Sequence, residues 1–304
     1  MDLGKLRRHS LFDRPSKEHV RTLAGLDDPP PGFRAVTAAG DTHTGFAIDR
    51  LAVKMVAAHK AGKPVIWGTG AHSVKLGLSP IIVDLMKRGF ITSVAVNGAF
   101  LIHEIEFALA GKTSEDVAER LPKGDFGFAR ETAVHFSRAA NRAVNQNLGL
   151  GEAVGREIIL YGRRSYPSVL GVGVELGLPV TAHVAIGTDI VNMHPEFPAG
   201  AVGESSYRDF ITFTASVECL GGGVYVNAGS AVLMPEVFLK ALSIAYNLGR
   251  NLDDMTTAVI DQTRHYRPEK NVLERPTGES IFVCGRLEHV LPLLRWAVIT
   301  EASA

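Results

Sequence analysis

Cysteine, tryptophan and an excess of either charge are scarce in this 304-residue sequence. Its two cysteines, Cys219 and Cys284, lie far apart and form no C-x-x-C pair, which excludes a disulfide framework and favours a reducing, cytoplasmic setting. Neither has an adjacent His-Asp signature, so both are predicted to be buried structural thiols. Basic and acidic residues balance at 32 each, so the chain lacks the basic field that nucleic acids select.

Long apolar runs are also missing. The basic amino terminus is not followed by a continuous apolar stretch, so it does not resemble a secretory signal, and no segment is long enough to cross a bilayer. The hydrophobic content of 46% is nevertheless ample for a sizeable core. We therefore expect a soluble protein with a small-molecule partner, and neither a nucleic acid nor a membrane.

Alternating strands and helices dominate the chain after a Pro-, Gly- and Asp-rich segment at 24–45. Short glycine-bearing links join these elements, which is typical of a parallel sheet covered on both faces. We predict an amino-terminal arm over 1–40 and one α/β domain over 41–304, with a doubly wound, mostly parallel sheet and helices on both faces. The predicted strands are PVIWG, SVAVNG, EIILYG, LPVTAHVAIG, GGVYVNAG, MTTAVID and SIFVCG.

The turn GTGAHS follows the first of these strands, beginning at Gly68. Its pattern, G-x-G-x-x-S, is one residue short of the dinucleotide-binding fingerprint, and no clear acidic residue ends the second strand. The turn is therefore either a dinucleotide loop or a tight link between strand and helix. Ligands in parallel sheets collect at the carboxyl ends of the strands, where this turn lies.

Two further segments carry residues suited to chemistry at the same edge. His103 and Glu104 follow the strand SVAVNG and could act as acid and base, although acidic residues also suit a helix amino terminus. The polar run 188–195 follows another strand and, with His183, raises a metal hypothesis. Because no H-E-x-x-H or H-x-H spacing is present, we favour a hydrogen-bonded substrate pocket and no metal.

Two other features have simple structural alternatives. The glycines at 221–223 permit close approach by a ligand, or form a plain turn. Lys270 lies in a charged segment that we predict to be irregular and could project into the crevice. A lysine forms an imine only when its amine is unprotonated, and a loop lysine is usually a surface residue.

Taken in chain order, several of these segments resemble motifs of the deoxyhypusine synthase family over roughly residues 41–300. Thr44-Gly45-Phe46 matches an early helix motif, Ala71 through Gly77 matches the cofactor loop, and Asn97-Gly98-Ala99 through His103-Glu104 matches an acidic turn. Thr188-Asp189 through Asn192-Met193, the run from Leu220 through Val224, and Leu291 through Leu294 match later motifs, and the family's catalytic lysine falls nearest to Lys270.

The resemblance implies a Rossmann-like fold, an NAD cofactor and a homo-oligomer, expected to be a homotetramer. It also implies a role for each matched residue. Catalytic roles fall to Lys270, Glu104 and His103; cofactor binding to Gly70, His72, Ser73, Gly77, Asn97, Gly98, Gly222 and Gly223; and substrate binding to Asp189, Asn192, His194 and Asn227.

The chain departs from the family where the polyamine would bind. Asn227-Ala228 replaces a pair of histidines, Pro268-Glu269 replaces Trp-Gly before the lysine, and Asn192 replaces an acidic residue. A pocket for a polycation needs carboxylates and aromatics, so fold and cofactor should transfer better than substrate.

Three functions follow from the resemblance and these departures. The first is an NAD-dependent transferase that oxidises an amine and passes its alkylamine fragment through a lysine imine to an acceptor amine, which could be a protein lysine. The second is an NAD-dependent oxidoreductase or lyase acting on another small molecule. The third is a regulator that binds NAD without turnover.

Overall fold

A computed structural model describes residues 1–304 and contains a six-stranded, fully parallel sheet. Numbered along the chain, its strands have the spatial order β3-β2-β1-β4-β5-β6. A separate antiparallel pair, Glu18–His19 with Lys112–Thr113, ties the amino-terminal arm to the body. The six strands are β1 (Val65–Thr69), β2 (Ser93–Asn97), β3 (Val180–His183), β4 (Val224–Ala228), β5 (Thr256–Asp261) and β6 (Glu279–Cys284).

Nine long helices surround this sheet. They are α1 (Thr42–Lys60), α2 (Ser79–Lys87), α3 (Gly98–Ala110), α4 (Arg130–Asn145), α5 (Leu150–Tyr161), α6 (Val169–Leu176), α7 (Ala199–Glu218), α8 (Leu233–Asn247) and α9 (Leu287–Ala302). Short helical turns are Leu3–Lys5, Val20–Thr22, Ala35–Ala38, His72–Lys75, Val117–Arg120, Leu121–Lys123, Ile190–Met193, Tyr266–Pro268 and Glu269–Glu274.

The strand order explains why helices cover both faces. The larger hydrophobic cluster packs α1, α2, α3, α5, α6 and α9 on one face, while the smaller cluster places α7 and α8 on the other. The chain therefore changes faces after β3, when α7 returns it across the sheet to β4. This confirms the predicted doubly wound α/β fold and places the reversal of strand order between β1 and β4.

Local sequence signals set most element boundaries. Asn97 caps α3, because its side-chain oxygen accepts a hydrogen bond from the Phe100 amide at 3.0 Å. Gly111 ends the same helix in the left-handed conformation, with φ of 69°. These signals agree with the predicted helix after SVAVNG.

No helix of the chain is long and apolar enough to span a bilayer.

Three sequence predictions were wrong. EIILYG is the end of α5 and not a strand, because Glu157 faces α4, where Arg142 donates to it at 2.8 Å. The strand predicted over LPVTAHVAIG is limited to β3, since the chain turns away after His183. Cys219 and Cys284 are exposed and not buried.

Candidate functional site

The strand order reverses between β1 and β4, and the loops that leave these two strands meet at the carboxyl edge of the sheet. A Cβ atom added to Gly70, directly after β1, would lie 2.9 Å from the carbonyl oxygen of Gly229, directly after β4. Gly229 itself has φ of 61°. Glycine at position 70 thus allows the two loops to approach at the point where doubly wound sheets bind ligands.

Several backbone amides at this point have no partner in the protein. The N–H groups of Gly70 and Ala71, after β1, donate no hydrogen bond, and neither do those of Ser230 and Ala231, after β4. Backbone amides that converge in a loop can bind phosphate oxygens. The junction of the two loops therefore offers donors to an anionic ligand.

A cavity of about 530 Å³, here called the wide cleft, opens on one side of this junction over β4, β5 and β6. Asp261 lies at its base with 14% of the side chain exposed, and Arg286 and Glu288 form an exposed ion pair at its rim. His72 also lines this cleft and is exposed. The wide cleft is polar and open, which suits binding more than chemistry.

A cavity of about 200 Å³, here called the narrow cleft, lies on the other side of the junction over β2 and β3. Its charged and titratable lining residues come from five segments of the chain. They are Arg14 from the amino-terminal arm, Lys75 after β1, His103 and Glu106 on α3, Glu115 after α3, and Asp189 after β3.

His103 is the imidazole of the narrow cleft. Its Nδ1 lies 2.7 Å from Thr113 Oγ1, and this hydroxyl donates to Glu106 Oε2 at 2.5 Å. Burial lowers the pKa of His103 to about 4, even though Glu106 raises it. The imidazole is therefore neutral near pH 7 and linked through a hydroxyl to a carboxylate.

Glu104 does not meet His103, contrary to the predicted acid and base pair. Adjacent helix residues point in different directions, and the fully buried Glu104 carboxylate accepts hydrogen bonds from Tyr166 at 2.6 Å and from Ser168. Burial raises the pKa of Glu104. Since Glu104 lines neither cleft, its observed role is to hold the segment before α6 against α3.

Arg14 instead organises the carboxylates of the narrow cleft. Its guanidinium donates to both oxygens of Glu106, at 2.9 and 2.8 Å, and to Glu115 Oε1 at 3.0 Å. Burial raises the pKa of Glu106, but the hydrogen bonds and charge of Arg14 outweigh this and leave it lowered. The arm therefore supplies a buried cation that keeps Glu106 ionised.

Asp189 lies at the start of α3, over a glycine. A Cβ on Gly98 would come within 2.0 Å of Asp189 Oδ2, so only glycine leaves room for this carboxylate. Burial raises the pKa of Asp189 to about 6. Asn192 fixes the loop, because its Oδ1 accepts from the amides of Gly187 at 2.7 Å and Asp189 at 3.2 Å. Asn192 therefore positions Asp189 in this structure.

Three of the predicted cofactor residues make contacts within the protein. Ser73 is fully buried, and its hydroxyl donates to the Gly70 carbonyl at 3.0 Å. Gly77 has φ of 73°, and a Cβ there would lie 2.6 Å from the Thr22 carbonyl of the arm. Asn97 uses its oxygen to cap α3 and points its amide nitrogen toward Gly70.

Gly222 and Gly223 lie at the opposite edge of the sheet from the junction, which contradicts their predicted cofactor role. They precede β4, and a Cβ on Gly223 would lie 2.4 Å from the Pro64 carbonyl, before β1. The Gly222 amide donates to Asp254 at 2.9 Å. The triple glycine therefore permits close packing of the turns at the amino edge.

Lys270 lies outside both clefts, and its segment is helical over 266–274 and not irregular. Its ammonium pairs with Glu274 at 2.5 Å, and this hydrogen bond raises the pKa of Lys270. The amine is thus protonated at neutral pH and cannot act as a nucleophile in this arrangement.

The two remaining substrate candidates are buried. His194 faces the Gly127 carbonyl, with Nε2 at 2.9 Å, and does not line the narrow cleft. Asn227 lies within β4 with no exposed surface, and it donates to the Ser230 carbonyl at 2.9 Å. Its side-chain oxygen has no partner, so Asn227 supports the loop that carries Ser230.

No local pattern singled out Arg14, Lys75 or Glu115 as a site residue. Arg14 lies in a region assigned to an arm, and its partners are 92 and 101 residues away. Glu106 was visible as an acidic neighbour of His103, and its spacing of three residues places both on one face of α3. That spacing was the available signal, and it favoured Glu106 over Glu104.

No protein-family model matches the chain, and comparison with curated proteins finds no match in sequence. Comparison with solved structures does find similar folds. AgrE in its ternary complex with ornithine and NAD⁺ is similar over 86% of this chain and 34% of its own, with 14% identity and a TM-score of 0.58. This chain thus spans about a third of the length of AgrE.

Two other solved structures are similar over more of their own length. A conserved protein assigned as LOR/SDH from Methanococcus maripaludis S2 matches over 89% of this chain and 73% of its own, with 15% identity and a TM-score of 0.55. A protein assigned as deoxyhypusine synthase from Entamoeba histolytica matches over 90% and 96%, with 10% identity and a TM-score of 0.50. At these identities the likeness establishes the shared α/β fold.

Proposed function

We propose that this protein is an NAD-dependent enzyme that oxidises a small amine. One observation carries the proposal: unpartnered backbone amides mark the reversal of strand order, between a polar cleft and a cleft that contains the half-buried carboxylate of Asp189. The presence of NAD⁺ and ornithine in AgrE, which has a similar fold, supports the same pairing of cofactor and amine.

The fit of a dinucleotide rests on the junction itself. The amides of Gly70, Ala71, Ser230 and Ala231 would hold the pyrophosphate, and glycine at 70 leaves the approach open. One half of the cofactor would then lie in the wide cleft and the nicotinamide would face the narrow cleft. When bound there, NAD⁺ supplies a hydride acceptor for the carbon that bears the amine.

Asp189 is the proton acceptor in this proposal. Oxidation of an amine removes a hydride from carbon and a proton from nitrogen, and leaves an imine. Because the pKa of Asp189 is about 6, its carboxylate is mostly ionised at neutral pH yet basic enough to take that proton. The neutral His103, hydrogen-bonded to Thr113, can then accept or pass on a proton within the same cleft.

The finer hypothesis is transfer of an alkylamine fragment through an imine on Lys270. It requires an unprotonated lysine beside the substrate, whereas Lys270 is paired with Glu274 outside both clefts. This geometry favours the second function, an oxidoreductase or lyase in which no lysine imine forms. A protein-lysine acceptor, a polyamine substrate and a homotetramer remain predictions of the family resemblance.

The experiment is an amine screen with the full chain and NAD⁺, in which formation of NADH is followed by absorbance. We expect at least one small amine to reduce NAD⁺, and Asp189→Asn to abolish this reaction while NAD⁺ still binds. Asp253→Asn, a substitution on the exposed turn before β5, is the matched control. Tight NAD⁺ binding with no turnover of any amine would favour a regulator and overturn the enzymatic proposal.

Borohydride treatment during the same screen tests the transfer hypothesis. A covalent adduct that maps to Lys270 and disappears in Lys270→Ala would support the hypothesis of transfer through a lysine imine. We expect no adduct at this position, because the amine is paired with Glu274 and Lys270 is not part of the lining of either cleft.

A further inference from the structure

The narrow cleft contains two charged groups that the proposed proton transfer does not use. Lys75 lines the cleft from the turn after β1 and forms no ion pair or side-chain hydrogen bond within the protein. Glu115 lines it from the segment after α3 and is almost fully buried. A partly buried charge without a partner is costly, and so is a buried carboxylate with one unpaired oxygen, so both groups call for an explanation.

Glu115 has one satisfied oxygen and one free oxygen. Its Oε1 accepts hydrogen bonds from Arg14 at 3.0 Å and from the Gly127 amide at 3.2 Å. Its Oε2 is buried and has no hydrogen-bond partner. A carboxylate oxygen in this position can accept a hydrogen bond from a cationic donor, and such charge-assisted hydrogen bonds are stronger than neutral ones.

Glu106 is not available for the same purpose. Its two oxygens already accept from Arg14, Thr113 and Thr132, at distances from 2.5 to 2.9 Å. The buried Arg14 guanidinium is thus paired with both oxygens of Glu106 and with one oxygen of Glu115. A cleft that would otherwise attract a polycation is left with a single free acidic oxygen at Glu115, the proton acceptor Asp189, and the cation Lys75.

We propose that the substrate of the narrow cleft is an amino acid, with its carboxylate bound by Lys75 and an ammonium group donating to Glu115 Oε2. This assignment rests on the proposed amine oxidation and narrows its substrate to a zwitterion. The cleft volume of about 200 Å³ suits a molecule of this size and is below that of a typical drug-sized pocket. Arg14 then acts as a specificity residue that excludes polyamines.

The test measures binding and not turnover. The full chain is titrated by calorimetry with the common amino acids and L-ornithine, and with the decarboxylated counterpart of each ligand that binds, such as putrescine for ornithine. We expect at least one amino acid to bind, and its decarboxylated counterpart to bind at least about tenfold more weakly, because it cannot pair with Lys75.

Two substitutions assign this preference to the cleft. Lys75→Met should weaken binding of the amino acid by about tenfold or more and should remove the preference for the amino acid over its decarboxylated counterpart. Glu115→Gln keeps a side-chain oxygen that can accept from Arg14 and Gly127. It should weaken binding of the amino acid and of its decarboxylated counterpart to the same extent. Lys123→Met and Glu119→Gln, in an exposed ion pair on the short helical turns at 117–123, are matched controls and should change neither affinity.

Three results would overturn the assignment: no amino acid binds, the decarboxylated amine binds as tightly as its amino acid, or Lys75→Met leaves the affinity unchanged. NAD⁺ titration of the same samples separates this failure from failure of the proposed function. Loss of amino-acid preference with intact NAD⁺ binding refutes the substrate class alone, whereas an amino acid that binds without any NAD⁺ binding refutes the cofactor.

Discussion

The two clefts at the carboxyl edge of the sheet differ in how they hold charge. In the narrow cleft, Arg14 and Glu106 have side chains that are 1% exposed and are joined by two hydrogen bonds. In the wide cleft, Arg286 and Glu288 also pair, but 63% and 24% of their side chains are exposed. The same residue types therefore meet in a dry network on one side and in solvent on the other.

This difference matches the division of tasks that we propose for the site. Burial shifts the pKa of His103 and Asp189 in the narrow cleft, as expected where proton transfer takes place. The wide cleft instead presents glycine backbone and exposed polar groups beside the strand reversal, which suits recognition of an extended ligand. The following predictions test this division, beginning with the largest effect.

Removal of the buried guanidinium should cost the most. Arg14→Met leaves Glu106 and Glu115 as buried carboxylates without their cation, and should lower the free energy of unfolding by about 3 to 5 kcal/mol. Chemical denaturation measures this change. Arg286→Met in the exposed pair is the matched substitution and should cost less than about 1 kcal/mol. Equal losses in the two variants would contradict the contrast between the clefts.

Filling the space over α3 should disable the narrow cleft while sparing the wide one. In Gly98→Ala the new methyl group would overlap Asp189 Oδ2, so the carboxylate must move. A displacement of about 1 Å can reduce turnover about 100-fold, and we expect a loss of that order in NADH formation. NAD⁺ affinity should stay unchanged. A parallel loss of NAD⁺ binding would mean that the two regions do not act separately.

The pH dependence should report Asp189. Because only the ionised carboxylate accepts a proton, the rate of amine oxidation should rise with pH and level off above about 6. The pH dependence of stability has the opposite sign. A carboxyl group with a raised pKa in the folded protein stabilises it fully only at pH values below the pKa of that group in the unfolded chain. This contribution to the free energy of unfolding is complete below about pH 4 and is lost as pH rises through about 6. A rate profile without a transition near pH 6 would exclude Asp189 as the base.

The smallest effect should come from Lys270. Its ammonium pairs with Glu274 outside both clefts, so Lys270→Ala should change NAD⁺ affinity and amine oxidation by less than about twofold. Steady-state kinetics of this variant provide the measurement. A loss of more than about 100-fold would place Lys270 back at the reaction centre.

Regular elements were predictable because their signals are local. The strands PVIWG and SVAVNG are short apolar runs ended by glycine, and both lie within a residue or two of the predicted positions. EIILYG was ambiguous for the same reason, since a short apolar run cannot distinguish a strand from the end of a helix. Only the contact of Glu157 with α4 resolves it.

The site was less predictable because its contacts are distant in sequence. The predictions selected the carboxyl edge, where the structure places His103 and Asp189 in one cleft and Gly98 against the Asp189 carboxylate. Arg14 and Glu115 escaped notice because nothing in the local sequence shows that a charged side chain is buried. The direction of each side chain on α3 also had to be known, because Glu104 and Glu106 are two residues apart and contact different partners.

The most direct test of the proposed cofactor site is calorimetric titration of NAD⁺ into the full chain and into Gly70→Val, whose side chain would press against the Gly229 carbonyl. We predict that the wild-type protein binds NAD⁺ and that Gly70→Val binds at least about tenfold more weakly while keeping its fold. Folded wild-type protein that binds neither NAD⁺ nor a related dinucleotide would contradict this prediction, and the junction between β1 and β4 would then be only a tight turn.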